Sequence, residues 1–205
     1  MQSVLARIAE IDQSLIPPAQ QAPATSFQAT LGAQTDAATP LNATPALTSS
    51  AFTPSAGATG GSVQAMVQAA AGEVGQTEQP PGSNDSPRIA MYRQATAGSG
   101  VGPWCAYFVS WAARQAGAPL GDQGQGFGSV ADVAAWAQQT GRSLPAGSTP
   151  QPGDLIVWGG RHIGIVESVD ANGSIHTIEG NSSNAVSRRT YGPDGGGATG
   201  YVRLG

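Results

Sequence analysis

The 205-residue sequence has no lysine, one cysteine and two histidines. Its nine basic residues are all arginine, against thirteen acidic ones, for a net charge of −4. Binding nucleic acid or an anionic membrane through a basic patch needs clustered cations, so neither partner is expected. A single cysteine excludes an intramolecular disulfide framework and any multi-cysteine metal site. Two histidines leave no histidine-rich metal site, and no lysine is available as nucleophile or base. Long apolar runs are also missing, so no membrane span is expected. Within residues 1–16, Arg7, Glu10 and Asp12 interrupt the apolar core that a cleavable secretory signal needs. Val4, Ile8, Ile11 and Leu15 instead recur at helical spacing. The segment therefore reads as an amphipathic helix that packs on its own protein, docks on a partner or is read by an export machine. Such a short helix is marginal alone in water.

What is present is unevenly distributed. Residues 17–62 carry prolines at 17, 18, 23, 40, 45 and 54 and a single charge, Asp36, which predicts a flexible linker. All four tryptophans and all four tyrosines lie beyond residue 90. A folded domain is expected over residues 63–205, large enough to fold alone. Ser62 is expected to cap a helix over 63–73, and Asn84-Asp85-Ser86-Pro87 to open a short helical turn through Tyr92. Further helices are expected over 105–116, stopped by Gly117 and Pro119, and over 130–140, stopped by Gly141. Beyond Pro152-Gly153 the pattern becomes that of strands, at 154–158, 162–169, 174–180, 185–190 and 199–204. Helices followed by strands predict an α+β fold with an antiparallel sheet.

Cys105 stands at the expected start of a helix, where unpaired N–H groups and the positive end of the helix dipole favour thiolate over thiol. A buried structural cysteine is the competing reading. A base partner must be His162 or His176, on two strands joined through Asp170-Ala171-Asn172-Gly173, where Asn-Gly signals a hairpin. A two-residue turn puts His162, Gly164 and Val166 on the face of Glu179 and Asn181, with His176 on the other face. That turn leaves His162 and Glu179 roughly 13 Å out of register. A loop over 170–173 keeps the parity, sets Asn181 opposite His162 and brings Glu179 to the diagonal, roughly 7 Å away. A bulge or an odd loop can invert the parity. If the parity holds, His162 shares a face with a carboxylate and an amide. His176 reads as an exposed or satisfied strand histidine.

Four ordered stretches, Pro-Trp-Cys-Ala-x-Phe-Val-Ser-Trp at 103–111, Pro-Gly-Asp-Leu-Ile-Val-Trp at 152–158, His-Ile-Gly-Ile-Val at 162–166 and Ile-Glu-Gly-Asn at 178–181, resemble the CHAP family of cysteine- and histidine-dependent amidohydrolases and peptidases. The resemblance covers about residues 75–205. It implies a papain-like α+β fold that cuts amide bonds, most often in bacterial peptidoglycan. It also implies Cys105 as nucleophile, His162 as base, Glu179 as the residue orienting it and Asn181 as a further polar member. Whether Glu179 or Asn181 touches the imidazole stays open. Some family members bind calcium through an acidic loop before the cysteine. Here that region holds only Glu73, Glu78 and Asp85, so neither metal nor cofactor is expected.

The backbone N–H of Cys105 is the expected oxyanion donor, with Tyr92 or Asn84 as candidate side-chain donors. A core tyrosine and an Asn capping the Pro87 turn are the alternatives. Trp104, Trp158 and Tyr92 are candidate substrate-binding residues, with core packing as the competing reading for the tryptophans. The run Gly195-Gly196-Gly197 reads as a mobile loop and not a phosphate cradle. Residues 1–16 resemble the N-terminal segments of actinobacterial wall hydrolases encoded with flagellar genes. That resemblance implies flagellar rod or export components as partners and a periplasmic or cell-wall location reached without a secretory signal. The rival is a phage-type lysin held in the cytoplasm until lysis. The expected function is a peptidoglycan amidase or endopeptidase. Its alternatives are a catalytically idle binding module anchored by its N-terminal helix and an amidase of a small peptide conjugate.

Overall fold

The computed structural model describes residues 58–205, with side chains from Ser62 onward. The helix expected over residues 1–16 lies outside these residues, as does the expected linker up to residue 57. Four helices precede six strands among the described residues: α1 (Ala58–Ala71), α2 (Pro87–Arg93), α3 (Cys105–Gln115), α4 (Val130–Gln139), β1 (Ser143–Pro145), β2 (Leu155–Trp158), β3 (His162–Val169), β4 (Ile175–Glu179), β5 (Ser187–Tyr191) and β6 (Gly200–Val202). The strands form one sheet in the order β1-β6-β2-β3-β4-β5, with every neighbour antiparallel. This is the α+β architecture expected from helices followed by strands. No helix among the described residues is long and apolar enough to cross a membrane.

Local chemistry sets the helix ends. Ser86 caps α2 by accepting from the Ile89 N–H at 3.2 Å, with Pro87 in the first turn. Ser129 caps α4 by accepting from the Asp132 N–H at 3.1 Å. Gly117 and Gly141 take φ of +73° and +68° just beyond α3 and α4, a conformation glycine adopts without steric cost. One expectation fails here. Ser62 lies inside α1, which starts at Ala58, so it does not cap that helix.

α3 is the centre of the core. Every residue from Cys105 to Ala113 is buried. It packs against Ile163, Ile165 and Ile178 on one face of the sheet, together with Met66 from α1 and Ile89 from α2. Gly180 permits this close approach: a Cβ there would lie 2.5 Å from Phe108 Cβ and 2.9 Å from Trp104 Cζ3. The opposite face of the sheet gathers Ile156, Trp158, Val166, Ile175 and Tyr201 in a second apolar cluster.

The β3–β4 register decides which polar groups meet. The first pair beyond the loop is Val169↔Ile175, so the loop spans residues 170–174, one residue more than the loop over 170–173. Alone, that change inverts the parity. The register then shifts between Val166 and Ser168, and the pairs Val166↔Thr177 and Ile165↔Ile178 restore the parity of a loop over 170–173. The two irregularities cancel, and Glu179 ends diagonal to His162.

Candidate active site

His162 begins β3, directly after the turn Trp158-Gly159-Gly160-Arg161 that the Arg161 N–H closes onto the Trp158 carbonyl at 3.4 Å. Its Nε2 lies 2.8 Å from Glu179 Oε2. Glu179 is 1 % exposed, and its other oxygen accepts from Thr177 Oγ1 at 2.6 Å and from the Tyr191 hydroxyl at 2.9 Å. Burial would raise the Glu179 pKa, but the bonds from His162, Thr177 and Tyr191 outweigh it and hold the carboxyl below the ordinary range. Burial, together with its bond to Glu179, pushes the Tyr191 hydroxyl up to about 12, so it stays a proton donor.

Burial pulls the His162 pKa down. The Cys105 side chain and Glu179, both interacting with the ring, override that effect and push it up to about 9. With Nε2 engaged by the carboxylate, Nδ1 is the ring nitrogen left for the thiol. Trp158 stacks on the imidazole with centroids 5.4 Å apart and planes at 28°, and its own indole N–H donates to the Gly195 carbonyl at 2.9 Å. The ring is thus fixed by a carboxylate at one edge and an indole on one face.

Cys105 is buried at the first position of α3. No side chain caps that helix, so its first N–H groups are not taken up by a capping residue. The chain before it is held by Glu78, a buried carboxylate that accepts from Trp104 Nε1 at 2.9 Å and from the Asn84 N–H at 3.0 Å. With its amide oriented to satisfy both neighbours, Asn181 donates to Glu78 at 3.3 Å and accepts from the Trp104 N–H at 3.1 Å. Its φ of +58°, tolerated by Asn better than by most residues, turns the chain just past β4. Glu179 therefore contacts the histidine, and Asn181 instead braces the residue before the cysteine.

Several expected site residues lie elsewhere. Tyr92 is fully buried, donates to Glu73 Oε2 at 2.6 Å and stacks with Trp104 at 5.8 Å between centroids. Trp104 is 0 % exposed. Neither offers surface to a substrate, and the Tyr92 hydroxyl is consumed by Glu73, so both are core residues. Trp158 does border an open depression, with Arg161, His162, Tyr191 and Gly196. Asn84 meets the site through its main chain, at φ +55°. The expected mobile loop is fastened: Gly195 is bound by Trp158, and a Cβ on Gly196 would lie 2.5 Å from Tyr191 Cδ1. His176 is satisfied away from this site by Asp170 at 2.9 Å and Thr190 at 3.0 Å. Glu73 and Asp85, the other acids before Cys105, are ion-paired with Arg88 and Arg93.

Sequence reasoning missed Tyr191, Arg161 and the need for glycine at 164. A Cβ on Gly164 would lie 2.7 Å from Glu179 Cγ, whose carboxylate is pinned by three donors and cannot swing away freely. Gly164→Ala should therefore cost about 1–3 kcal/mol of stability, the usual range for overpacking a filled interior. It should also return the His162 titration towards 6.5, because the carboxylate is displaced from the ring. NMR titration of the imidazole checks this, and an unchanged His162 pKa in that variant contradicts it.

The CHAP domain family model matches residues 96–181. That span contains Cys105, His162, Glu179 and Asn181. No curated protein sequence matches the chain. Among solved structures, the chain is similar to the peptidoglycan hydrolase RipB from Mycobacterium tuberculosis, at 22% identity over 74% of this chain and 68% of that one, with a TM-score of 0.46.

Proposed function

We propose that the protein is a cysteine-dependent hydrolase that cuts amide bonds in the peptide part of peptidoglycan. One observation carries the reading: the half-buried His162 ring is held through Nε2 by Glu179 at 2.8 Å, and the lone thiol, Cys105, is among the groups that push its pKa up. This is the nucleophile–base–orienter arrangement of covalent amide hydrolysis. The match of the CHAP domain over residues 96–181 supports the reaction class.

In the mechanism, the Cys105 proton passes to His162 Nδ1, and the imidazolium so formed is stabilised by Glu179. Cys105 Sγ adds to the scissile carbonyl. The oxyanion forms in front of the uncapped N-terminus of α3, where the Cys105 N–H is the donor. His162 then gives its proton to the departing nitrogen, the C–N bond breaks, and the acyl group remains on sulfur as a thioester. Water attacks the thioester with His162 as base, releasing the carboxylic acid and restoring the thiol. Thr177 and Tyr191 share the carboxylate, which keeps its second oxygen from turning towards the ring.

The test is incubation with purified sacculi followed by mass spectrometry of what is released. The reading predicts soluble fragments with new amino and carboxyl termini at one type of amide bond. Intact sacculi, or fragments cut only at glycosidic bonds, would contradict it.

A further inference from the structure

We propose that Arg161 binds a carboxylate on the substrate residue that supplies the departing nitrogen. This deepens the hydrolase reading and rests on it. Eight arginines lie among the described residues. Four are ion-paired to carboxylates, two donate to main-chain carbonyls and one donates to serine hydroxyls. The guanidinium of Arg161 makes no such bond, and Arg161 lines the depression that His162 also lines. A guanidinium is always charged, and its planar fork matches a carboxylate with two parallel hydrogen bonds.

Its place is built rather than incidental. The turn that presents it is closed by the Arg161 N–H on the Trp158 carbonyl and anchored by the Gly159 N–H on Thr199 Oγ1 at 2.8 Å. Gly159 takes φ +60° there, a conformation that suits glycine. Among the described residues no carboxylate is ion-paired with Arg161. Glu179 is buried and shared among His162, Thr177 and Tyr191, and Asp194 accepts from the Gly196 N–H at 3.1 Å within its own loop.

The geometry also selects a side of the scissile bond. His162 delivers the proton to the departing nitrogen, and Arg161 lines the same depression as that imidazole. A carboxylate reaching Arg161 therefore belongs to the residue bearing that nitrogen. In peptidoglycan this favours a bond to the amine of a residue that keeps a free carboxyl beside it, such as the second amine–carboxylate centre of a diaminodicarboxylic acid. It disfavours the bond between the sugar's lactyl group and the first amino acid, whose carboxyl is already in the next peptide bond. The inference thus points to an endopeptidase acting on acidic peptides.

Two peptides identical except for a carboxylate or a carboxamide on the amine-side residue test it. The wild-type protein should show kcat/KM about 10- to 100-fold higher for the carboxylate, the range of a hydrogen bond to a charged group. Arg161→Gln should shrink that ratio to within about twofold, and Arg161→Lys should keep only part of it, because an ammonium lacks the fork. Calorimetric binding to Cys105→Ala reads the same preference without turnover. Equal binding and turnover of the two peptides, or a preference that survives Arg161→Gln, would overturn the inference. A charge preference in binding that Arg161→Gln removes, with neither peptide cut by the wild type, would support the carboxylate site while overturning the hydrolase reading.

Discussion

Cys105→Ala is expected to slow fragment release from sacculi by about ten-thousand-fold or more, because the bond-making atom itself is removed. The folded state should be nearly untouched. Alanine is the best helix former, and the change deletes a single sulfur at the first position of α3. Circular dichroism and the thermal midpoint, measured beside the release assay, separate loss of chemistry from loss of fold. The idle-module alternative predicts the opposite pattern, with no release by either protein and unchanged binding to the wall. The contrast is sharp because Cys105 is the sequence's one thiol and no lysine can substitute as nucleophile.

The second large effect is expected from His162→Gln, at about a hundred- to ten-thousand-fold in kcat/KM, the usual range for removing a general acid–base group. Glutamine preserves a donor to Glu179 but cannot move protons. The same variant should alter the pH dependence of stability. His162 titrates at about 9 in the folded protein against 6.5 when unperturbed, so the folded state binds its proton more tightly. That contribution is complete below about pH 6.5 and is lost as pH rises through 9. Glu179 has the opposite sense: its pKa is depressed from 4.5, so its contribution is present above that value and is lost as pH falls through the folded pKa. Stability from the pair should therefore hold between these limits and decline on both sides. In His162→Gln the alkaline decline should disappear. Denaturant midpoints from pH 5 to pH 10 read this directly, and an identical alkaline slope in both proteins would contradict it.

Much of this site is legible in the sequence because strand alternation is simple geometry. His162 and Glu179 share a face through period-two alternation, and His176 falls on the other face for the same reason. The exact loop was not legible, since an extra loop residue and a bulge cancel and leave the same parity. Asn181 illustrates a different limit. Pairing places it opposite His162, yet it lies past the end of β4, where a left-handed turn sends its amide towards Trp104 and Glu78.

Aromatic residues near the motifs were the least readable. Trp104 and Tyr92 carry polar tips that suit a wet groove or an interior hydrogen bond equally. Burial was decided by Glu78 and Glu73, acids that sequence alone does not pair with them. Tyr191 was invisible because it reaches Glu179 only through the β4–β5 pairing, in which it sits opposite Ile175. The chain between those strands bridges back to Thr77 through Ala185, so no short turn sets that register. At Gly164 the missing side chain is the space that Glu179 occupies, a demand that strand alternation does not signal.

The central claim is that Cys105 carries the acyl group between the two half-reactions. Intact-protein mass spectrometry of samples quenched in acid during turnover tests it most directly. The account predicts a transient mass increase equal to the acyl fragment, located on the Cys105 peptide and absent from Cys105→Ala. Continued turnover with no adduct on that peptide, together with undiminished release by Cys105→Ala, would contradict it.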